Sequence, residues 1–521
     1  MNTIEVIICV IFFSFVFLYH RFRNSFSYFE RNGIPYIKPL PIFGNVAGWI
    51  LMRKSLSVIH FELYKKLEPH RFGGVYVGER KMLLIRDIEL VKKILIKDFD
   101  HFHDRGTKRD LHTDILSRNL LFLKGDEWKT LRIKLTSTFT SSKMKRMFPL
   151  VKQYGTKLHS IIEEMTDKDE FFIKDVCSRF SIDVIGSCAF GLEINSLENP
   201  DSVFVKMGNR SSNSKFTYKS IIRKVFPFLT KLSKKVIVDT IVQSFFVDKV
   251  QEIVECREQH KIVRGDFLDQ LIHLKNETNS QKSQDEQAQA DSHQFLNQID
   301  GKYCTNAHIE MTPELMAAQT FQFFLANFES TSSTLSFMLL ELAQHQHIQD
   351  RLRQEIRTVL ENNNNQLTYE TLQEMRYLDM VVAETLRKYP ICGFLARHCT
   401  KTYEIPDSNI VLAEGTSIVI PVLGIHHDTK YYEKPYEFYP EHFTEEAQSK
   451  RPNYTYLPFG EGPRICIGKR FAEMQIKVGA IILLKDFCYT LSSKMKLPVE
   501  FAHGILTIDI KGGIRLRCKK I

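Results

Sequence analysis

The sequence predicts a fold that is mainly α with small β-sheets, preceded by one N-terminal transmembrane helix. Three observations lead there. Long segments carry apolar residues at three- and four-residue spacing, the mark of helices with one buried face. Runs with strand character are few and short. An apolar run opens the chain. The composition agrees: 43% hydrophobic and 25% charged residues exclude a collagen-like, coiled-coil or wholly disordered chain. The 521 residues leave ample chain for a large core. With 71 basic and 61 acidic residues the formal charge is 71 − 61 = +10. That is modest for this length, and no nucleic-acid partner is expected without its concentration on one face. Ten cysteines lie scattered without CxxC pairs, so neither a zinc framework nor a disulfide scaffold is indicated.

Taken in order, the first element is Ile4–Tyr19, apolar but for Glu5 and Ser14. It is short of the twenty or so residues that cross a hydrocarbon core. A signal peptide would need a cationic region before it and a small-residue cleavage site after it. Instead His20, Arg21, Arg23 and Arg31 follow, which places that side in the cytosol. Residues 1–24 are expected to be an uncleaved anchor in contact with membrane lipid. Three prolines in Pro35–Asn45 make residues 25–45 an extended hinge that cannot continue a helix. Helical periodicity then marks Gln153–Met165, Ser178–Phe190, Val236–His260, Pro313–Gln346, Ile348–Glu361, Thr371–Tyr389 and Lys469–Leu484. Strands are expected at Val75–Val77, Met82–Ile85 and Thr416–Pro421, and as a hairpin of Ile505–Ile510 with Ile514–Arg517 about Lys511-Gly512-Gly513. The polar segment 276–292 reads as a solvated loop insert.

The chemistry concentrates at Phe459–Gly468, FGEGPRICIG. Glycines let the backbone fold tightly around Cys466, and the helix that follows offers N–H groups favouring a thiolate. One cysteine without partners at ligand spacing cannot build a zinc site, but it can be a single axial ligand to haem iron. The other nine cysteines read as inert core thiols. The pattern FxxGxRxCxG is long and specific, and on it the chain resembles the cytochrome P450 family. The resemblance recurs in order along the chain. Glu384 and Arg387 form ExxR, one turn apart on a helix face. Pro435–Phe443, PYEFYPEHF, carries His442 where the family has an arginine, giving up the bidentate fork and permanent charge. Trp128-Lys-Thr-Leu-Arg132 matches WxxxR, and Leu325–Thr331 (LANFEST) matches the acid–alcohol motif of the family's central helix. There Glu329 fits the acid, Ser330 stands for threonine, and Asn327 replaces a glycine, adding bulk that would narrow the oxygen groove.

The resemblance implies a cytochrome P450 fold for residues 46–521, a haem-thiolate monooxygenase domain holding haem b with Cys466 as the iron ligand. Trp128, Arg132, Arg397, Phe459 and Arg464, with Arg105 as a weaker candidate, would hold the haem. Glu384, Arg387 and His442 would support its loop structurally, and Glu329 with Ser330 would handle protons. Phrases such as DVIGSCAFG (Asp183–Gly191) and RGDFLDQLI (Arg264–Ile272) resemble the microsomal members, including insect xenobiotic-metabolising and vertebrate drug-metabolising ones. They imply an endoplasmic reticulum membrane location with the catalytic domain facing the cytosol. They also imply electrons from NADPH through NADPH–cytochrome P450 reductase, docked on basic residues such as Lys134 and Lys143. Small lipophilic substrates are expected, in an apolar pocket walled by Phe321, Phe324, Phe328 and Phe394. Tyr218–Val238, basic and aromatic, reads as a core helix or a second membrane contact. Two other functions stay open: a haem-thiolate isomerase or dehydratase that needs no dioxygen, and a non-catalytic haem-binding sensor or carrier.

Overall fold

A computed structural model describes residues 20–106, 114–212, 238–281, 309–504 and 507–521, together with Glu5 and Phe12. Its longer helices, in chain order, are α1 (Leu56–Lys66), α2 (Gly125–Thr136), α3 (Ser141–Met165), α4 (Ile173–Ile185), α5 (Val203–Ser212), α6 (Thr240–His260), α7 (Phe267–Gln281), α8 (Pro313–Gln344), α9 (Gln346–Asn362), α10 (Arg376–Lys388) and α11 (Lys469–Lys485). The strands are β1 (Phe72–Val77), β2 (Arg80–Ile85), β3 (Phe171–Phe172), β4 (Leu395–His398), β5 (Tyr403–Glu404), β6 (Val411–Leu412), β7 (Ser417–Ile420), β8 (Phe487–Leu491) and β9 (Arg515–Lys520). They form a four-stranded sheet in the order β1-β2-β7-β4, a three-stranded sheet β3-β9-β8 and the pair β5-β6. The β2–β7 pairing is parallel, with Met82 opposite Ser417, and the others are antiparallel. The mainly α expectation with minor sheets is met.

Two apolar clusters hold the fold together. The larger joins the helices through residues such as Leu131, Leu158, Phe180, Leu335 and Val478. The smaller lies over the four-stranded sheet and holds Trp49, Tyr76, Leu84 and Ile418. Helix α8 runs through the larger cluster. It starts where Thr312 caps the N–H of Leu315 and Pro313 occupies the first turn. It is apolar around most of its circumference, as a helix enclosed on all sides must be. Helix α4 then crosses it closely. After α4, Gly186–Phe190 winds as one π-turn and stops at Gly191, with φ +64°. A Cβ there would lie 2.4 Å from Arg257 Nη2 and 2.6 Å from Asp266 Oδ2, so only glycine admits that ion pair.

Several expectations change. Among the described residues the terminal hairpin is not built: Ile510 makes one bridge to Phe501, while β9 pairs with β8. Local sequence showed the turn at Lys511–Gly513, but the partner strand was set by packing from twenty-odd residues upstream. Segment 276–292 begins as helix, because α7 continues to Gln281; its remainder lies outside the described residues. So do Tyr218–Ile237 and most of the apolar run 1–19. Among the described residues, no helix is long and apolar enough to cross a membrane. The proline stretch lies against β1 through bridges of Tyr36 to Gly74 and Gly44 to Val77. Asn45 adds to this, accepting from the Tyr76 N–H at 2.7 Å and donating to the Ile37 carbonyl at 3.1 Å.

Candidate active site

The loop around Cys466 is shaped by backbone bonds. Its N–H donates to the Phe459 carbonyl at 2.9 Å, and that of Ile465 to Gly462 at 2.9 Å. Gly462 has φ +73°, and a Cβ there would press to 1.9 Å from the Leu95 carbonyl oxygen. The loop can therefore lie flat against that segment only with glycine present. Helix α11 starts three residues beyond the cysteine, with Gly468 at its N-cap. The Cys466 thiol is open by surface area, yet surrounded by protein. Both hold for a side chain on the wall of an internal chamber. Burial pushes the thiol up, while the Gly468 N–H and the charges of Arg132 and Arg105 draw it back toward thiolate.

Four guanidiniums converge here and repel one another. Burial and mutual repulsion push Arg132 down to about 10, Arg397 to about 9 and Arg464 to about 8. Arg105 is lowered by burial as well. Asp104, 3.6 Å from Arg464, is the counter-charge among the described residues. Arg464 spends its N–H groups on the protein: Nε donates to the His103 carbonyl at 2.8 Å and Nη2 to that of Leu123 at 2.9 Å. Its plane lies 3.8 Å over the Trp128 ring, a cation–π contact that seats the Cys loop on α2. Arg105 and Arg397 differ. Arg105 reaches the Arg464 carbonyl at 3.3 Å and Arg397 the carbonyl of Ala396 at 2.9 Å. The Nε of each is buried without a hydrogen-bond partner. Buried donors of this kind, beside excess positive charge, suit anionic groups of a ligand. The two propionates of haem, with a thiolate at its iron, fit this donor set. Phe459 stands half-buried beside Lys469, 5.8 Å from its ring.

Helix α8 is buried along most of its length, but in its middle Ala326 is open and Gln322, Phe323, Leu325, Glu329 and Ser330 are half-buried. The Glu329 carboxylate is 3.7 Å from Lys174 Nζ. The bulk expected of Asn327 does not enter the groove. Its Nδ2 donates to the Ser181 carbonyl on α4 at 3.1 Å, and its Oδ1 accepts from Thr331 at 3.3 Å. The open strip beside Ala326 lies on the other face.

Behind the loop, Glu384 and Arg387 are fully buried and joined by two bonds of 2.7 Å. His442 takes up the expected third place, 3.1 Å from Glu384 Oε2. Burial alone would raise the Glu384 carboxyl, but Arg387 and His442 hold it below its usual value. Phe321, Phe324 and Phe328 come together on α8, with Phe246 5.0 Å from Phe321 and 5.1 Å from Phe324. Phe324 and Phe328 stack at 6.1 Å. Phe394 stands apart, edge-on to His60 at 4.7 Å in the smaller cluster. Three participants were missed from sequence: Lys174, His426 and Cys392. Cys392 and Cys256 are exposed, which corrects the expectation of inert core thiols, and Cys392 shares the charge environment of Arg105 and Cys466. A lone cysteine or lysine gives no sequence signal of its own.

Comparison with known proteins shows the family. The chain matches the cytochrome P450 family over residues 34–514. It is 40% identical over 507 residues to a probable cytochrome P450 6a13 of Drosophila melanogaster, covering 96% of each chain. It is 38% identical to a probable cytochrome P450 6a23, again over 96% of each, and 35% identical to cytochrome P450 6a9 of the same fly over the full length of both. The chain belongs to the cytochrome P450 family and is a P450 monooxygenase.

Proposed function

We propose that this monooxygenase uses dioxygen and electrons from NADPH, delivered by NADPH–cytochrome P450 reductase, to oxidise small lipophilic compounds. The observation that carries this reading is the open Cys466 thiol close to a cluster of buried guanidiniums in which the Nε groups of Arg105 and Arg397 have no hydrogen-bond partner. Cys466 would hold the iron of haem b. Arg105 and Arg397 would bind its carboxylates, with Arg132 adding charge. Trp128 and Arg464 would keep the loop seated, and Phe459 would cover its edge. When bound, the haem supplies the iron at which dioxygen is activated. On α8 the Glu329 carboxylate faces Lys174, and Glu329 with its chain neighbour Ser330 would handle protons. Phe321 and Phe328, which come together on α8, are proposed as pocket walls, while Phe324 is packed in the core and Phe394 stands apart in the smaller cluster. Apolar walls bind by burial, worth roughly 25 cal/mol per Å², so selectivity follows size and lipophilicity. The endoplasmic reticulum membrane, reached through residues 1–24, is the proposed location.

The test is to purify the full chain with reductase and NADPH and screen uncharged lipophiles for oxygenated products. Products that form only with NADPH and dioxygen support the proposal. Rearrangement of a peroxide with neither would replace it by the isomerase reading, and ligand binding without any turnover by the carrier reading.

A further inference from the structure

Near its C-terminal end α8 borders a cleft of about 480 Å³ that contains none of the residues assigned above to the haem, the Cys466 loop or the Phe pocket. Its walls are mostly apolar and aromatic, with Phe61, Leu423, Tyr436, Leu497 and Phe501 among them. Glu341 also lines it, twelve residues and about 18 Å further along α8 than Glu329. This side chain is only 1% exposed, and a buried carboxylate is costly unless its oxygens are bonded. Oε1 is well served: the Tyr389 hydroxyl donates to it, and so does Lys388 Nζ at 2.9 Å. Oε2 has no hydrogen-bond partner. His345 Nδ1 lies 3.6 Å from it, too far for a hydrogen bond, and is 2.9 Å from the Glu341 carbonyl oxygen, to which it donates instead.

We infer that this cleft is a second ligand site, taking an uncharged lipophile that bears a hydroxyl group and donates its O–H to Glu341 Oε2. The apolar body follows from the walls, and the hydroxyl from the acceptors. Lys388 already supplies the counter-charge of Glu341. A cationic ligand would therefore leave positive charge unpaired, and an acid would set two anions side by side. A neutral O–H makes a bond to a carboxylate, the stronger kind, and leaves the net charge as it was. His427, on the same wall, adds a second acceptor. Its Nδ1 donates to the Leu423 carbonyl at 3.0 Å, and burial pushes the ring down to about 3, so Nε2 keeps its lone pair. Rings on the walls, from Phe61, Tyr436 and Phe501, favour a phenol over an aliphatic alcohol.

The experiment photolabels the full chain with a phenol that carries a diazirine, and in parallel with the methyl ether of that phenol, and maps the adducts by mass spectrometry. The phenol should label segments 341–345, 423–436 and 497–501. The ether has the same body without the donor and should label them about tenfold less, the scale of one hydrogen bond to a charged acceptor. Glu341→Gln, which removes the charge from that acceptor, should lower labelling by the phenol to the same degree. If Glu341→Gln does not fold, Gln344→Trp decides: Gln344 is exposed where it lines the cleft, and an indole there should fill the space and remove the labels. Adducts found only near Cys466, equal labelling by phenol and ether, or labels that persist in either variant overturn the inference. Adduct positions are read without turnover, so a protein that proves inactive with NADPH and dioxygen would sink the proposed function and leave this result standing.

Discussion

Glu329 shares the ammonium of Lys174 with Asp509: Lys174 Nζ lies 3.7 Å from the first and 2.8 Å from the second. The acid of the central helix is thus tied to α4 and to the loop before the last strand. Lys174 is a quarter exposed, and partly exposed pairs of this kind contribute about 0–1 kcal/mol. Lys174→Met is therefore expected to leave thermal stability within that margin. It should lower the rate of turnover, because Glu329 loses the ammonium that holds its carboxylate in place. An unchanged rate would show that this contact does not position Glu329.

Cys466→Ser should fold, since the loop is held by backbone bonds to Phe459 and Gly462 rather than by the thiol. It should abolish the red-shifted Soret band of the reduced carbon monoxide complex, a sign of thiolate ligation. A variant that keeps the band would remove Cys466 as the ligand.

Breaking a buried ion pair costs about 3–5 kcal/mol, because the surviving charge is left unpaired. Glu384→Gln should therefore lower the unfolding midpoint strongly, or prevent haem retention. The same carboxyl makes the wild type acid-sensitive. Its folded value lies below the ordinary 4.5, so its contribution is present above that value and lost as pH falls through the folded one. Acid unfolding followed by circular dichroism should be less steep in Glu384→Gln.

Phe324 is fully buried among rings of three other segments, and Phe→Ala in such cores costs about 3–5 kcal/mol. Phe324→Ala should lose stability on that scale in denaturant titration. Phe328→Ala should instead shift the product profile across several lipophiles, while Phe394→Ala should leave it unchanged, since Phe394 packs on His60 in the smaller cluster. An unaltered profile in Phe328→Ala would return that ring to the core.

Lys134 stands at the end of α2 and Lys143 at the start of α3, and the proposed reductase docking would use them. Reversing both charges should slow reductase-driven turnover at low salt and flatten its salt dependence. Exposed charges are screened beyond about 8 Å at physiological ionic strength. Turnover and salt response equal to wild type would place the reductase elsewhere.

Local patterns were legible where one segment carries its own physics. The Cys466 loop, the ExxR spacing and the 3.6-residue period of α8 depend on residues near in sequence, and each was readable there. Strand partners were not, because β8 and β4 carry short patterns whose pairing with β9 and β7 is decided by the helices packed around them. Asn327 read as an obstruction because sequence gives a side chain's bulk but not its direction; Ser181, on another helix, supplies the carbonyl that turns it aside.

By itself the sequence determined the helical class, the thiolate loop and the basic residues that would surround a haem, since glycine spacing and charge are local properties. Only the tertiary structure decided which arginines keep unpartnered N–H groups and which are spent on carbonyls, separating Arg105 and Arg397 from Arg464. It also decided that His442 faces two acceptors while His426 faces one of each kind. Protonation and hydrogen-bond satisfaction belong to surroundings assembled from distant segments, and burial is what gives them their energy.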